Sequence, residues 1–140
     1  MKKAITILLA LICLHAGVKA QGIAFEEGTF DQIMELAKKG GKLVFLDAYA
    51  SWCGPCKALQ RNVFPDKTVG DYYNANFVSV KIDWEKGEGT KLQRKYRVRA
   101  YPTLMFIDPA SGKEVARAEG YLPAAEMVKF GKFALEKRSK

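Results

Sequence analysis

Two cysteines three positions apart, in Trp52-Cys53-Gly54-Pro55-Cys56-Lys57, constrain this chain more than any other feature. They follow closely on the apolar run Leu43-Val44-Phe45-Leu46, so a buried strand must turn almost directly into whatever carries the thiols. Pro55 has no N–H and holds φ near the helical value, which suits the first turn of a helix. A helix beginning at Cys53 sets that sulfur against unpaired backbone N–H groups and the positive end of the helix dipole. Both favour a thiolate over a thiol. The pair is therefore expected to be a redox dithiol. Cys53 is its nucleophile, and Cys56, one turn in, is the more buried and less reactive partner.

The 140 residues suffice for one domain with a real core. Residues 1–20 are expected to be a cleaved secretory signal. Lys2 and Lys3 precede an apolar stretch from Ala4 to Leu14, and Val18-Lys19-Ala20 forms a small-residue cleavage pattern before Gln21. That stretch of about 11 residues is too short for a bilayer, which needs roughly 20. Cys13 follows Ile12, where a lipoprotein site would want a small residue. An uncleaved interfacial anchor is the alternative. Residues 21–140 are thus expected to form a single exported, periplasmic domain, not embedded in the membrane after cleavage.

Without the signal, the 23 basic side chains fall to 20 against 15 acidic ones, a net charge of +5. This suits acidic partner surfaces and is weak support for nucleic acid, which is not expected as a partner. The cysteines fall from three to two, and the one histidine, His15, goes with the signal. A structural zinc site needs about four Cys or His ligands. Covalent haem attachment needs a histidine where Lys57 stands. Copper-chaperone and Cys-His hydrolase chemistry lack an imidazole. No metal and no cofactor are expected. A purely structural bridge closing so short a loop would restrain the unfolded chain little, so the redox reading stands over it.

Along the chain, Gly22–Phe25 is predicted as a short first strand. Thr29 opens a capping-box pattern, with Phe30, Ile33, Met34 and Ala37 at helical spacing until Gly40-Gly41. Residues 42–49 are predicted as a buried strand, 53–63 as a helix broken at Phe64-Pro65, and 68–74 as a shorter helix. Residues 77–83 alternate as a strand. After a loop at Gly87-Glu88-Gly89, residues 91–96 form a short helix. Residues 103–107 and 114–119 form a hairpin around the turn 108–112, and Pro123 opens a last helix. Strands alternating with helices, then a hairpin and helix, indicate an α/β fold with a mixed sheet covered on both faces. Cys53 would lie at the carboxyl end of a central strand, where such sheets place their chemistry.

From about Phe25 to Leu135 the chain resembles the thioredoxin family. The resemblance rests on Trp52-Cys53-Gly54-Pro55-Cys56-Lys57, Asp47 six residues before Cys53, Tyr101-Pro102-Thr103, and Gly120. Tyr49-Ala50-Ser51-Trp52-Cys53 and Asn62-Val63-Phe64 are more similar to exported members, such as the C-terminal periplasmic domain of DsbD thiol:disulfide interchange proteins. The resemblance implies a three-layer α/β/α sandwich with a central mixed sheet. It implies that Asp47 is a buried carboxylate moving protons for Cys56, and that Pro102 is a cis-proline facing the dithiol. Physics agrees for Asp47, which shares a strand face with Leu43, Phe45 and Tyr49. A carboxyl desolvated there has a raised pKa and can act as a base near neutrality. An exposed Asp at the strand end is the alternative.

Tyr101 would offer its backbone to an extended substrate; Gly120 would allow close backbone approach, with a plain strand-end turn as the alternative; and Trp52, with Gly54 and Pro55, would form the contact surface, with simple packing as the alternative for Trp52. Tyr49, Trp84, Tyr72 and Tyr73 are expected to be packing residues. One departure is Ser79, where thioredoxins often place a lysine near the buried carboxylate; Lys81 is the nearby substitute. The basic run Arg94-Lys95-Tyr96-Arg97-Val98-Arg99 is either a solvated face or a means of selecting acidic partners.

Gly54-Pro55 is the dipeptide of reducing family members, where oxidising relatives tend to carry a histidine. The resemblance therefore implies a protein-disulfide reductase with a potential in the range of about −270 mV. Its partners would be disulfide-containing proteins and a membrane electron-donor protein of DsbD type, and it would be a monomer. An oxidase or isomerase using the same dithiol, and a non-catalytic binding module, remain open.

Overall fold

Leu43 to Ala48 are all buried, as a strand with so apolar a start requires when both of its faces are covered. The computed structural model describes residues 21–139, and the segment on which the expected signal falls lies outside the described residues. In order, the elements are α1 (Phe30–Lys39), β1 (Leu43–Tyr49), α2 (Gly54–Asn62), α3 (Lys67–Asn76), β2 (Phe77–Asp83), α4 (Glu88–Tyr96), β3 (Thr103–Ile107), β4 (Glu114–Glu119) and α5 (Ala124–Arg138). The sheet order is β2-β1-β3-β4. β1 pairs parallel with β2 and antiparallel with β3, and β3 pairs antiparallel with β4. The sheet is therefore mixed, with β1 inside it.

Strand alternation divides the core. Val44, Leu46 and Ala48 pack with Phe30, Ile33 and Ala37 of α1 and with Tyr96 of α4. Leu43 and Phe45 face the other way, toward Leu59 of α2, Val69 and Tyr73 of α3, and Met127 and Ala134 of α5. The result is the expected α/β/α sandwich of the thioredoxin fold. The capping box at Thr29 forms as predicted, with Thr29 and Gln32 each bonding the other's backbone.

Three predicted elements differ by more than one residue at an end. Residues 22–25 make only one bridge, Phe25 to Ser79. The reason is that Ile23 donates its N–H to the Phe64 carbonyl and Ala24 to Asn74 Oδ1, so this backbone is tied to the turn after α2 and to α3. α4 begins at Glu88, inside the predicted loop, because Gly89 packs on the backbone of Asp83 and Trp84, where a Cβ would collide. α3 is longer than predicted, since Asp66 caps it by accepting the Val69 N–H.

Candidate redox site

β1 ends at Tyr49, and the chain turns through Ala50, Ser51 and Trp52 into α2, with Cys53 as its N-cap. Cys53 donates its N–H to the Ala50 carbonyl at 3.1 Å, and its Sγ accepts the Cys56 N–H at 3.2 Å. The sulfur occupies the place that a serine or aspartate oxygen takes at other helix starts. Cys53 and Cys56 are joined in a disulfide, with Cα atoms 5.3 Å apart. Gly54 and Pro55 are exposed and form the first two helical positions, where a missing N–H costs nothing. Cys56 is fully buried and Cys53 is 2% exposed, with Ala50, Tyr49 and Tyr101 packed around them.

Asp47 is fully buried on β1, which excludes the exposed alternative. It sits in register with Lys81 on β2 and Leu104 on β3. Neither of its carboxyl oxygens has a hydrogen-bond partner among the described residues, and the same holds for Ser79 Oγ. Burial pushes the Asp47 pKa up to about 7, against a smaller opposing pull from the Lys81 charge. Lys81 is exposed, and its Nζ lies 4.9 Å from the Phe25 ring centroid. It therefore acts on Asp47 as a charge across the strand pair and not as a bonded partner.

The Tyr101–Pro102 peptide is cis, and Pro102 is buried. The Pro102 carbonyl accepts the Gly120 N–H at 2.8 Å. Gly120 has φ of 86°, which disfavours any side chain, and a Cβ there would meet nothing within 4 Å. Backbone conformation alone thus accounts for the glycine, and the space above it is open. Trp52 is 66% exposed. Its indole N–H donates to Glu85 Oε2 at 2.8 Å, and its ring meets Tyr101 edge-on with centroids 5.9 Å apart.

The structure thus gathers Trp52, Gly54, Pro55 and Tyr101 about the disulfide, with Pro102 next in the chain and Gly120 bonded to it. Asp47 lies two residues before Tyr49, on the same face of β1. Glu85, which holds Trp52, escaped the sequence reading, because nothing local marks a carboxylate just beyond a strand as the partner of a tryptophan 33 residues away. Among the described residues, no group of three or more His, Cys, Asp or Glu side chains is placed to hold a metal ion.

Known proteins resemble this chain in sequence and fold. A Bacteroides thetaiotaomicron protein solved as a "putative disulphide-isomerase" is 47% identical, with a TM-score of 0.73, over 84% of this chain and 97% of that one. Chloroplastic thioredoxin Y from Oryza sativa is 37% identical over 77% of this chain and 60% of its own length. The thiol:disulfide interchange protein DsbD of Pseudoalteromonas atlantica is 34% identical over 69% of this chain, which spans only 17% of that larger protein. Residues 30–135 match the model of the thioredoxin-like domain, and the chain belongs to that family.

Proposed function

We propose that this protein is an exported thiol-disulfide oxidoreductase that reduces protein disulfides in the periplasm. The observation that carries the reading is the Cys53–Cys56 pair, bonded to each other at the start of α2 with Cys53 Sγ accepting a backbone N–H. After reduction, the same N–H and the helix dipole favour the Cys53 thiolate. That thiolate attacks a substrate disulfide, forming a mixed disulfide and releasing one substrate thiolate, which takes up a proton. Cys56 gives its proton to the Asp47 carboxylate and attacks Cys53 Sγ. The mixed disulfide breaks, the second substrate thiol leaves, and two electrons have passed to the substrate. An Asp47 pKa of about 7 suits a base that takes and returns this proton near neutrality.

The direction rests on Gly54-Pro55, which puts no cation between the cysteines to stabilise the reduced form. A reductase in an oxidising compartment needs recharging, and a membrane electron donor of DsbD type fits that need. Export itself rests on Lys2, Lys3 and the apolar stretch that follows.

The test is substitution of the two cysteines. Cys56→Ser should accumulate covalent complexes with substrate proteins in the periplasm, and Cys53→Ser should abolish turnover. Absence of trapped complexes would remove the exchange assignment. An equilibrium potential near −120 mV, instead of about −270 mV, would make the protein an oxidant. Failure to reduce insulin would favour a non-catalytic clamp.

A further inference from the structure

The segment joining α4 to cis-Pro102 is Arg97-Val98-Arg99-Ala100-Tyr101, and it continues the basic end of α4 at Arg94 and Lys95. Tyr96 and Val98 are buried in the core against β1. Arg94, Lys95, Arg97 and Arg99 are exposed. The loop backbone is fixed from within: Arg117 donates to the Tyr96 carbonyl at 2.5 Å, and Gln93 Nε2 donates to the Val98 carbonyl at 2.8 Å. Arg117 is itself paired with Glu114 and Glu119. By contrast, Arg94, Arg97 and Arg99 form no ion pair among the described residues.

A second observation concerns the backbone. Arg97 has φ of 47° and ψ of 52°, the one left-handed non-glycine residue among those described. A residue with a Cβ is strained there, and glycine is the usual occupant just past a helix end. An arginine standing where glycine is easier points to a use for its side chain. Arg99 precedes Tyr101 by two residues, which bounds their Cα separation at about 7 Å. Tyr101 packs against the disulfide, so the exposed Arg99 springs from backbone close to the redox pair, with Arg97 two residues further back on the same segment. Beside Trp52 stands the Glu85 carboxylate.

We infer that the Arg97–Arg99 edge selects substrate proteins whose disulfide is flanked by acidic residues. This rests on the exchange reaction proposed above and names its substrate class. Unpaired cations beside a reaction site raise the encounter rate of anionic partners, by tenfold or more where salt is low. A polypeptide is favoured over a nucleic acid or a lipid surface because these cations lead directly into the cis-Pro102 segment beside the disulfide.

Three peptides, each with one internal disulfide flanked by Glu, Gln or Lys, test the inference in single turnover with an excess of pre-reduced protein. The Glu peptide should be reduced about tenfold faster than the Lys peptide at low salt. The ratio should fall toward one near 1 M salt, where the screening length is about 3 Å. Arg97→Glu with Arg99→Glu should invert it. Arg97→Gly with Arg99→Gln relieves backbone strain while removing both charges, and should bring the ratio to about one. Equal rates for all three peptides, or a preference that the variants retain, overturn the inference and leave the reductase reading standing. If no peptide is reduced, the reductase reading falls and this one with it. Duplex DNA that competes with the Glu peptide better than polyglutamate does would reassign the edge and overturn the inference.

Discussion

Asp47 combines full burial with two carboxyl oxygens that have no partner among the described residues, and its pKa rises from 3.8 to about 7. For an acid with a raised native pKa, folding and ionisation oppose each other. Below about pH 4 both folded and unfolded chains hold the proton, and Asp47 carries no penalty. Between pH 4 and 7 the unfolded chain has lost it and the native chain has not, so stability falls as pH rises. Above pH 7 both are ionised and the penalty is constant, on the order of 4 kcal/mol. Asp47→Asn should therefore be more stable than the parent by several kcal/mol at pH 8, with the gap closing toward pH 4. Urea unfolding of the oxidised proteins across that range checks it, and a gap that ignores pH would show that Asp47 does not titrate near 7. This residue was legible because the family resemblance singled it out and strand alternation put it on the face of Leu43 and Phe45. Trp52 was legible as a surface residue, but its anchor Glu85 was not, since that bond depends on how the end of β2 meets the turn before α2.

Among the elements, those with local signals were readable and those shaped by close approach were not. α1 carries its capping box in its own sequence, and β1 its own burial pattern. α4 does not: Gly87 and Gly89 resemble loop punctuation, yet Gly89 lies within the helix, with Trp84 Cα 2.6 Å from where its Cβ would stand. A glycine needed for contact with a distant backbone looks the same, in sequence, as one needed for a turn. The first strand failed for a related reason, because its N–H groups found acceptors on Phe64 and Asn74. The end of α4 supplies its own prediction. Arg97 holds a left-handed conformation that glycine adopts without strain. Arg97→Gly should stabilise the protein by about 1 kcal/mol, read as a higher urea midpoint at unchanged slope. An unchanged or lower midpoint would mean that the Arg97 side chain gives the fold something that offsets its backbone cost.

At the scale of the molecule, the large aromatic core and the redox pair fall in different side-chain clusters. Phe106 on β3 packs against Phe77 and Phe130, with ring centroids 4.5 and 4.9 Å away, in a core cluster that contains neither cysteine. The disulfide has its own small cluster with Ala50, Tyr49 and Tyr101. The midpoint potential measures how differently the oxidised and reduced chains are stabilised, with 30 mV equivalent to about 1.4 kcal/mol. A loss shared equally by both states cancels from that difference. Phe106→Leu should therefore cost about 1–2 kcal/mol of stability and move the potential by no more than about 10 mV. Pro55→His does the opposite. It places an imidazole at an exposed position in the first turn of α2, where a cation favours the reduced thiolate. It should raise the potential by about 30 mV or more with little change in the unfolding of the oxidised form. Equilibration of each variant with a glutathione buffer measures both shifts. A potential that follows core stability in Phe106→Leu would show that reduction loosens the whole sheet, and that the two clusters do not respond separately.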